Sequence, residues 1–131
     1  MVIILCFTFG GLALAADANL QTAVSPYWTN TTSVNTNLSF NGGMGTCGAY
    51  VIGKSGTTQI TGTAVLARKN SNGMYTTIKT WSGLKATGNI LTFDETYYVT
   101  TGYTYRLTMT ATVYLSGSGE TVSSYFEAYA S

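Results

Sequence analysis

The sequence predicts an all-β fold, an antiparallel immunoglobulin-like sandwich of about seven or eight strands. In the longest alternating stretch, Tyr103–Leu115, apolar residues such as Leu107 occupy odd positions and mostly threonines occupy even positions. This is the pattern of a strand with one buried face and one wet face. Similar segments recur about every ten residues with turn residues between them, and no helical periodicity follows the N-terminal segment. A small β-barrel is the alternative, because alternation alone is also compatible with a closed sheet.

The individual strands follow from the same alternation and from the turns that separate them. Residues 41–45, 69–73 and 116–119 are rich in glycine, asparagine and serine, which accept turn conformations, so they predict hairpin turns. Residues 83–88 are predicted as a loop, and residues 94–101 as the connection into the long strand. The predicted strands are Ser33–Phe40, Thr46–Ile52, Thr58–Arg68, Met74–Trp81, Asn89–Phe93, Tyr103–Leu115 and Thr121–Tyr129.

Three positions within these strands carry more specific expectations. Gly62 interrupts the apolar face of its strand and predicts a bulge or a close approach of another backbone. Ile78 and Trp81 have opposite parity, so either Trp81 is exposed or a bulge re-aims it. Tyr105, near the head of the penultimate strand, is a candidate for a tyrosine corner.

The chain divides into a predicted signal peptide at 1–18, a leader at 19–32 and a single β-sandwich domain at 33–131. Residues 2–16 are apolar and end in small residues, which favours cleavage near Ala15–Ala18 and hence a secreted, extracellular protein. A retained membrane anchor is the competing interpretation, but the apolar run is shorter than the roughly 20 residues of a spanning helix.

Composition argues against several functional classes. Charged residues make up 8% of the chain and the formal net charge is +1, so there is no basic footprint for nucleic acid. Histidine, the commonest general base and metal ligand, is absent. The sequence therefore predicts a protein that is not an enzyme and has no metal or cofactor.

Cys47 is the single cysteine of the mature chain and is expected to be a small buried apolar residue.

Two nucleotide-binding patterns and the acidic residues do not predict a catalytic or nucleotide-binding site. Gly48–Ser55 fits the P-loop formula and Gly43–Gly48 fits the dinucleotide fingerprint, but neither precedes a predicted helix that could receive a phosphate. No nucleotide partner is therefore expected. A glycosidase needs two facing carboxylates, and the sequence places none opposite another. The carboxylates beyond the cleavage region are Asp94, Glu95, Glu120 and Glu127.

Aromatic residues reach 13% of the chain and include ten tyrosines. Aromatic rows on a sheet stack against sugars or serve protein interfaces, although ordinary cross-strand pairing is the simplest explanation. The candidate ligand-binding residues are Tyr75, Trp81 and Tyr114. The residues assigned to outward positions are Tyr75, Tyr114, Tyr125 and Tyr129, together with Trp81 if it is exposed.

Four segments of the chain carry a resemblance to known proteins, namely Thr46–Ile60, Ala64–Arg68, Ile78–Trp81 and Thr101–Leu107. With them, roughly residues 30–124 resemble a group of small exported proteins from Gram-positive, Clostridia-like bacteria. The resemblance implies export and a β-rich fold. The family is a domain of unknown function, so the resemblance transfers no catalytic or binding residue.

These observations favour a secreted, non-enzymatic interaction module that acts at a cell surface or in a matrix. Its expected partners are a cell-surface protein or a glycan, or a second copy through an edge strand. A carbohydrate-binding module that uses exposed aromatic residues is one alternative, and a secreted bacteriocin-like protein is another.

Overall fold

A computed structural model describes residues 20–21 and 28–131. Their strands form two antiparallel sheets, and no helix occurs among these residues. The larger sheet has the strand order β1–β8–β7–β4–β5 and the smaller sheet the order β2–β3–β6. The predicted signal peptide lies outside the described residues. The strands are β1 Leu20–Gln21, β2 Thr31–Asn41, β3 Met44–Gly53, β4 Thr57–Lys69, β5 Tyr75–Thr87, β6 Ile90–Tyr98, β7 Tyr103–Leu115 and β8 Ser118–Ala130.

The topology confirms the predicted immunoglobulin-like sandwich. Strands β2, β3 and β6 follow the A–B–E order of such domains, and β8, β7, β4 and β5 follow G–F–C–C′. The described strands form two separate sheets rather than one closed barrel, as a sandwich requires. On one side β2 approaches β8, where the hydroxyls of Thr36 and Ser124 share a buried hydrogen bond.

The core lies between the sheets and is centred on β7, whose bounds coincide with the predicted strand. Inward side chains from both sheets are almost completely removed from water, which is the main source of stability for a domain of this size. The alternation predicted for Tyr103–Leu115 is confirmed from Tyr105 to Val113, where every odd-numbered side chain is buried. The core includes Val34, Leu38, Cys47, Val51, Ile60, Ala64, Leu66, Leu91, Phe93, Tyr105, Leu107, Met109 and Val113.

Two predicted connections are wrong in part, because strands extend into both of them. β5 extends into residues 83–88 as far as Thr87, and β6 extends into residues 94–101 as far as Tyr98. The register of β4 with β5 shifts between Gly62 and Ala64, so Ser82 and Gly83 together oppose a single residue. Gly83 has φ of 73°, as a glycine bulge requires, and a bulge uses the same residue type as a loop. β2 also begins at Thr31, inside the predicted leader.

A second bulge re-aims Trp81. The register shifts between Leu66 and Ala67, which leaves Ile78 as the extra residue of β5 and reverses the parity of the residues after it. Trp81 consequently faces the smaller sheet, with its ring 5.1 Å from that of Phe93. Of the two possibilities raised by the sequence, the bulge is therefore confirmed.

Gly62 is closely approached both by the neighbouring strand β7 and by β6 of the smaller sheet. A Cβ at this position would lie 3.2 Å from the carbonyl oxygen of Thr110 and 3.3 Å from Leu91. Both predicted reasons for glycine, the bulge and the close approach, are therefore present.

Tyr105 forms the predicted tyrosine corner. Its ring is buried near the start of β7, and its hydroxyl donates a hydrogen bond of 2.6 Å to the carbonyl of Thr100. The bond ties the connection between the two sheets to the core. Burial raises the pKa of Tyr105 above its ordinary value.

A single carboxylate fixes the segment that leads into β2. Glu120 accepts hydrogen bonds from the backbone N–H groups of Thr29, Asn30 and Thr31 at 2.7, 3.0 and 2.9 Å. Both threonine hydroxyls donate to it as well. Burial raises the pKa of Glu120, but these hydrogen bonds outweigh burial, so the pKa is lowered from 4.5.

Cys47 is free and buried in the core. Burial, together with the negative charges of Glu95 and Asp94, raises its pKa to about 11. The thiol is therefore protonated at neutral pH and behaves as a small apolar side chain, as the sequence predicts.

We expect Tyr105→Phe to lower the free energy of unfolding by about 1 kcal/mol, because it removes one intramolecular hydrogen bond and leaves the ring in place. Urea unfolding measures the difference. The matched control is Tyr98→Phe, whose side chain is 72% exposed and whose effect should stay within about 0.5 kcal/mol. Equal effects of the two substitutions would contradict a stabilising role for the corner.

We expect Glu120→Gln to destabilise the protein by about 2 kcal/mol at pH 7, because hydrogen bonds to a charged acceptor are lost. A lowered folded-state pKa gives stability that is present above pH 4.5 and lost as pH falls through the folded-state value. The difference between wild type and variant in urea unfolding should therefore shrink as pH falls below 4.5. Glu95→Gln, at an exposed position of β6, is the control.

Candidate binding surface

The outer face of the larger sheet carries a stacked cluster where β7 begins and β8 ends. The guanidinium of Arg106 lies between two aromatic rings, 4.2 Å from the ring centroid of Tyr75 and 4.3 Å from that of Tyr125. Cation–π contacts of this kind contribute about 0.5 to 2 kcal/mol each. Together with Glu127, these three residues are called the tyrosine–arginine cluster below.

Glu127 completes the tyrosine–arginine cluster. It lies directly opposite Arg106 in the pairing of β7 with β8, and the arginine Nε donates to its carboxylate at 2.7 Å while Nη2 forms a salt bridge. The Tyr75 hydroxyl donates to the same carboxylate oxygen at 2.6 Å. Burial and this hydrogen bond raise the pKa of Tyr75 to about 12.

The strand order explains how Tyr75 reaches Arg106 across β4. The residue of β4 opposite Arg106 is Ala67, whose small side chain is buried although it lies on the outer face. A larger residue there would stand between the two strands that the cluster bridges.

An open depression of about 240 Å³ lies beside the cluster, and two exposed tyrosines line it. Tyr129 is 61% exposed and Tyr103 is 40% exposed. We call it the Tyr103–Tyr129 depression. Its remaining lining comes from the β4–β5 turn and the start of β7, namely Lys69, Asn70, Ser71, Gly102 and Thr104.

Positive charge is concentrated around this depression. The guanidinium of Arg68 lies 4.6 Å from the ring centroid of Tyr103, and Lys69 lines the depression itself. With Arg106 this makes three positive side chains against the single carboxylate of Glu127 in this region. The Nε of Arg68 is buried and has no hydrogen-bond partner among the described residues.

A second depression, of about 390 Å³, lies at the Gly83 bulge. Threonine residues of β4 and β7 form much of its lining, with Leu84 and Lys85 from β5. It holds no aromatic side chain, so it offers a ligand less stacking surface than the Tyr103–Tyr129 depression.

The three candidate ligand-binding residues are not brought together. Tyr75 belongs to the tyrosine–arginine cluster, whereas Trp81 faces inward and packs against the core. Tyr114 is half-buried eight positions beyond Arg106 on β7, which corresponds to about 27 Å along the strand. These three residues therefore do not form one aromatic row.

The depression contains one tyrosine that sequence reasoning assigned to the core. Tyr103 has inward parity but is the first residue of β7, where it follows the turn at Gly102. Tyr129 is predicted to face outward but is not among the three candidate ligand-binding residues. The sequence does contain a signal for this site. Tyr103 begins one predicted strand and Tyr129 ends another, and side chains at the ends of strands are less buried than those in the middle.

The acidic residues and glycine patterns show no arrangement for metal or phosphate chemistry among residues 28–131. Asp94 and Glu95 are consecutive and exposed on β6, and no three His, Cys, Asp or Glu side chains gather there. Gly48–Gly53 of the P-loop pattern lie within β3 rather than before a helix. The part of the chain described by the structure contains no helix long and apolar enough to cross a membrane.

Comparison with known proteins supports the fold and adds no function. No protein-family model matches the chain, and no curated protein is significantly similar to it. The structure is similar to that of Spo0M, a sporulation control protein from Bacillus subtilis, with a TM-score of 0.51 and 14% sequence identity. The match covers 78% of this chain and 49% of that chain, so this chain spans about half its length. The resemblance to exported Gram-positive proteins stays a prediction.

We expect spectrophotometric titration of the native protein to show one tyrosine ionising near pH 12 that is absent in Tyr75→Phe. The raised pKa also means that the stability contributed by Tyr75 is present below pH 10 and is lost as pH rises from 10 towards 12. Tyr98→Phe is the control and should leave the component near pH 12 in place. A titration curve unchanged by Tyr75→Phe would contradict the bond to Glu127.

Proposed function

We propose that this protein is a secreted, non-enzymatic interaction module that acts by contact at an extracellular surface or matrix. The observation that carries the proposal is the Tyr103–Tyr129 depression, in which two exposed rings and an exposed lysine stand on a rigid sheet. Aromatic residues are enriched at protein contact surfaces because they bury much area with little loss of conformational freedom.

The use of the carboxylates also supports a contact role. Glu120 is occupied by the segment before β2, and Glu127 by Arg106 and Tyr75. Asp94 and Glu95 are adjacent on one strand, and adjacent side chains of a strand point to opposite faces. The described side chains therefore favour binding over acid–base chemistry.

Self-association through an edge strand is an alternative, and the β5 edge does not favour it. β5 is an edge strand of the larger sheet, but it has two bulges and carries Lys79 and Lys85. Bulges and lysines both discourage the addition of another strand. The bacteriocin-like alternative has no described feature in its favour, whereas sugar binding is favoured by the exposed tyrosines.

We expect fluorescently labelled mature protein to be retained on isolated Gram-positive cell walls. Replacing both tyrosines of the depression, Tyr103→Ala with Tyr129→Ala, should reduce retention about tenfold or more, since a few central aromatic residues carry most of the energy of a contact. The control is Tyr50→Ala with Tyr98→Ala, two exposed tyrosines of the smaller sheet.

Two results would contradict the proposal. One is no retention of the wild-type protein, and the other is equal retention of the two double variants. Light scattering in parallel tests self-association, because a mass that rises with concentration and is unaffected by the depression variant would favour edge pairing instead.

A further inference from the structure

We propose that the Tyr103–Tyr129 depression binds a saccharide that carries an anionic group, such as a carboxylate or a sulfate. This inference rests on the proposed contact function and names the chemical class of its ligand. Three properties of the depression support it, namely its aromatic faces, its charge and its uncharged polar lining.

The aromatic faces suit the C–H faces of a sugar ring. Aromatic rings present a negative π face, against which the weakly positive C–H groups of a pyranose can stack. Tyr129 and Tyr103 keep 61% and 40% of their surface exposed. Tyr129 lies opposite Thr104 in the pairing of β7 with β8, and the guanidinium of Arg68 holds the Tyr103 ring.

The charge favours an acidic ligand. Lys69 lines the depression, is exposed and forms no salt bridge with any described residue. Arg68 adds a second positive charge nearby, with its guanidinium on the Tyr103 ring. Glu127, the carboxylate nearest along β8, is already neutralised by Arg106. An anionic group in the depression would therefore meet the unpaired charge of Lys69.

The uncharged polar groups fit a ligand that is rich in hydroxyls. Asn70 donates its side-chain N–H to Thr76 at 2.8 Å, which orients the amide and leaves its oxygen as an acceptor. Ser71 and Thr104 add hydroxyls that can donate or accept. A few placed polar groups beside apolar faces are typical of small-ligand sites.

An acidic peptide is the competing ligand, and the geometry favours it less. Extended peptides commonly bind by adding a strand to a free sheet edge. The depression instead combines the β4–β5 turn, the start of β7 and Tyr129 of β8, so its lining does not follow a single strand as strand addition requires. It also has no enclosed apolar pocket that could take a side chain as an anchor.

Isothermal titration calorimetry of the purified mature protein tests the inference with four probes at low and at physiological salt. The probes are a galacturonate hexamer, a sulfated heparin hexasaccharide, neutral cellohexaose and hexaglutamate. At least one anionic saccharide should bind about tenfold more tightly than cellohexaose, and its affinity should fall with salt because the charged contact is screened. The two anionic probes distinguish a carboxylate from a sulfate as the preferred group.

Matched variants locate the site. Tyr129→Ala and Lys69→Gln should each weaken binding of the anionic saccharide about five- to tenfold, since each removes one contact without touching the core. Tyr98→Ala and Lys85→Gln remove an exposed tyrosine and an exposed lysine elsewhere and should leave affinity unchanged. Equal losses from the two pairs would overturn the assignment to this depression.

The remaining outcomes separate this inference from the proposed function. Equal binding of cellohexaose overturns the need for an anionic group, and equal binding of hexaglutamate overturns the saccharide. If no probe binds but cell-wall retention still depends on Tyr103 and Tyr129, the ligand class is wrong and the contact function stands. If neither probes nor cell walls bind, both proposals fail.

Discussion

The register of β7 between its two neighbours is the constraint on which the rest of the structure depends. β7 pairs along its length with β4 on one side and with β8 on the other. Because side chains alternate with a period of two, a slip of one residue would exchange its two faces. The register that puts Leu107 in the core also puts Arg106 opposite Glu127. The core and the tyrosine–arginine cluster are therefore both set by the same register of β7.

The two sides of the sandwich are sealed by different means. On the β2–β8 side, the smaller sheet approaches the larger one through the hydroxyls of Thr36 and Ser124, while Glu120 holds the incoming segment. On the β5–β6 side, the bulge at Ile78 turns Trp81 towards Phe93, so a large ring fills the space between the edge strands. The first solution uses polar groups that satisfy one another, and the second uses aromatic area. The second depends on the bulge at Ile78, which is why β5 departs from simple alternation there.

Alternation and turn chemistry were sufficient to predict the regular parts of the fold. The bounds of β7 and the corner at Tyr105 follow from local sequence, because each depends on a strand's own pattern. Residues 83–88 were misassigned because a glycine with positive φ serves a bulge as well as a loop, and only the pairing with β4 distinguishes them. Alternation predicts which face of a strand a side chain lies on, but it does not predict at which residue the buried part of the strand begins. For this reason Tyr103, which has the parity of the core residues, is predicted to be buried although it is exposed. Similarly, the contact of Tyr75 with Arg106 crosses a whole strand, so no local pattern contains it.

The cluster and the depression share a face but have different energetic roles. The guanidinium of Arg106 is already stacked on two rings and bonded to Glu127, so an incoming ligand would have to replace contacts that are complete. Tyr129 follows Glu127 at the next outward position of β8, and it retains most of its exposure. The cluster thus forms a well-packed group of contacts directly beside the rings of Tyr129 and Tyr103, whose exposed surface is available to a ligand. A ligand gains most from unsatisfied groups on a rigid support, since less conformational freedom is lost on binding. This division of roles favours the depression over the cluster as the contact point, although the cluster contains more aromatic and charged contacts.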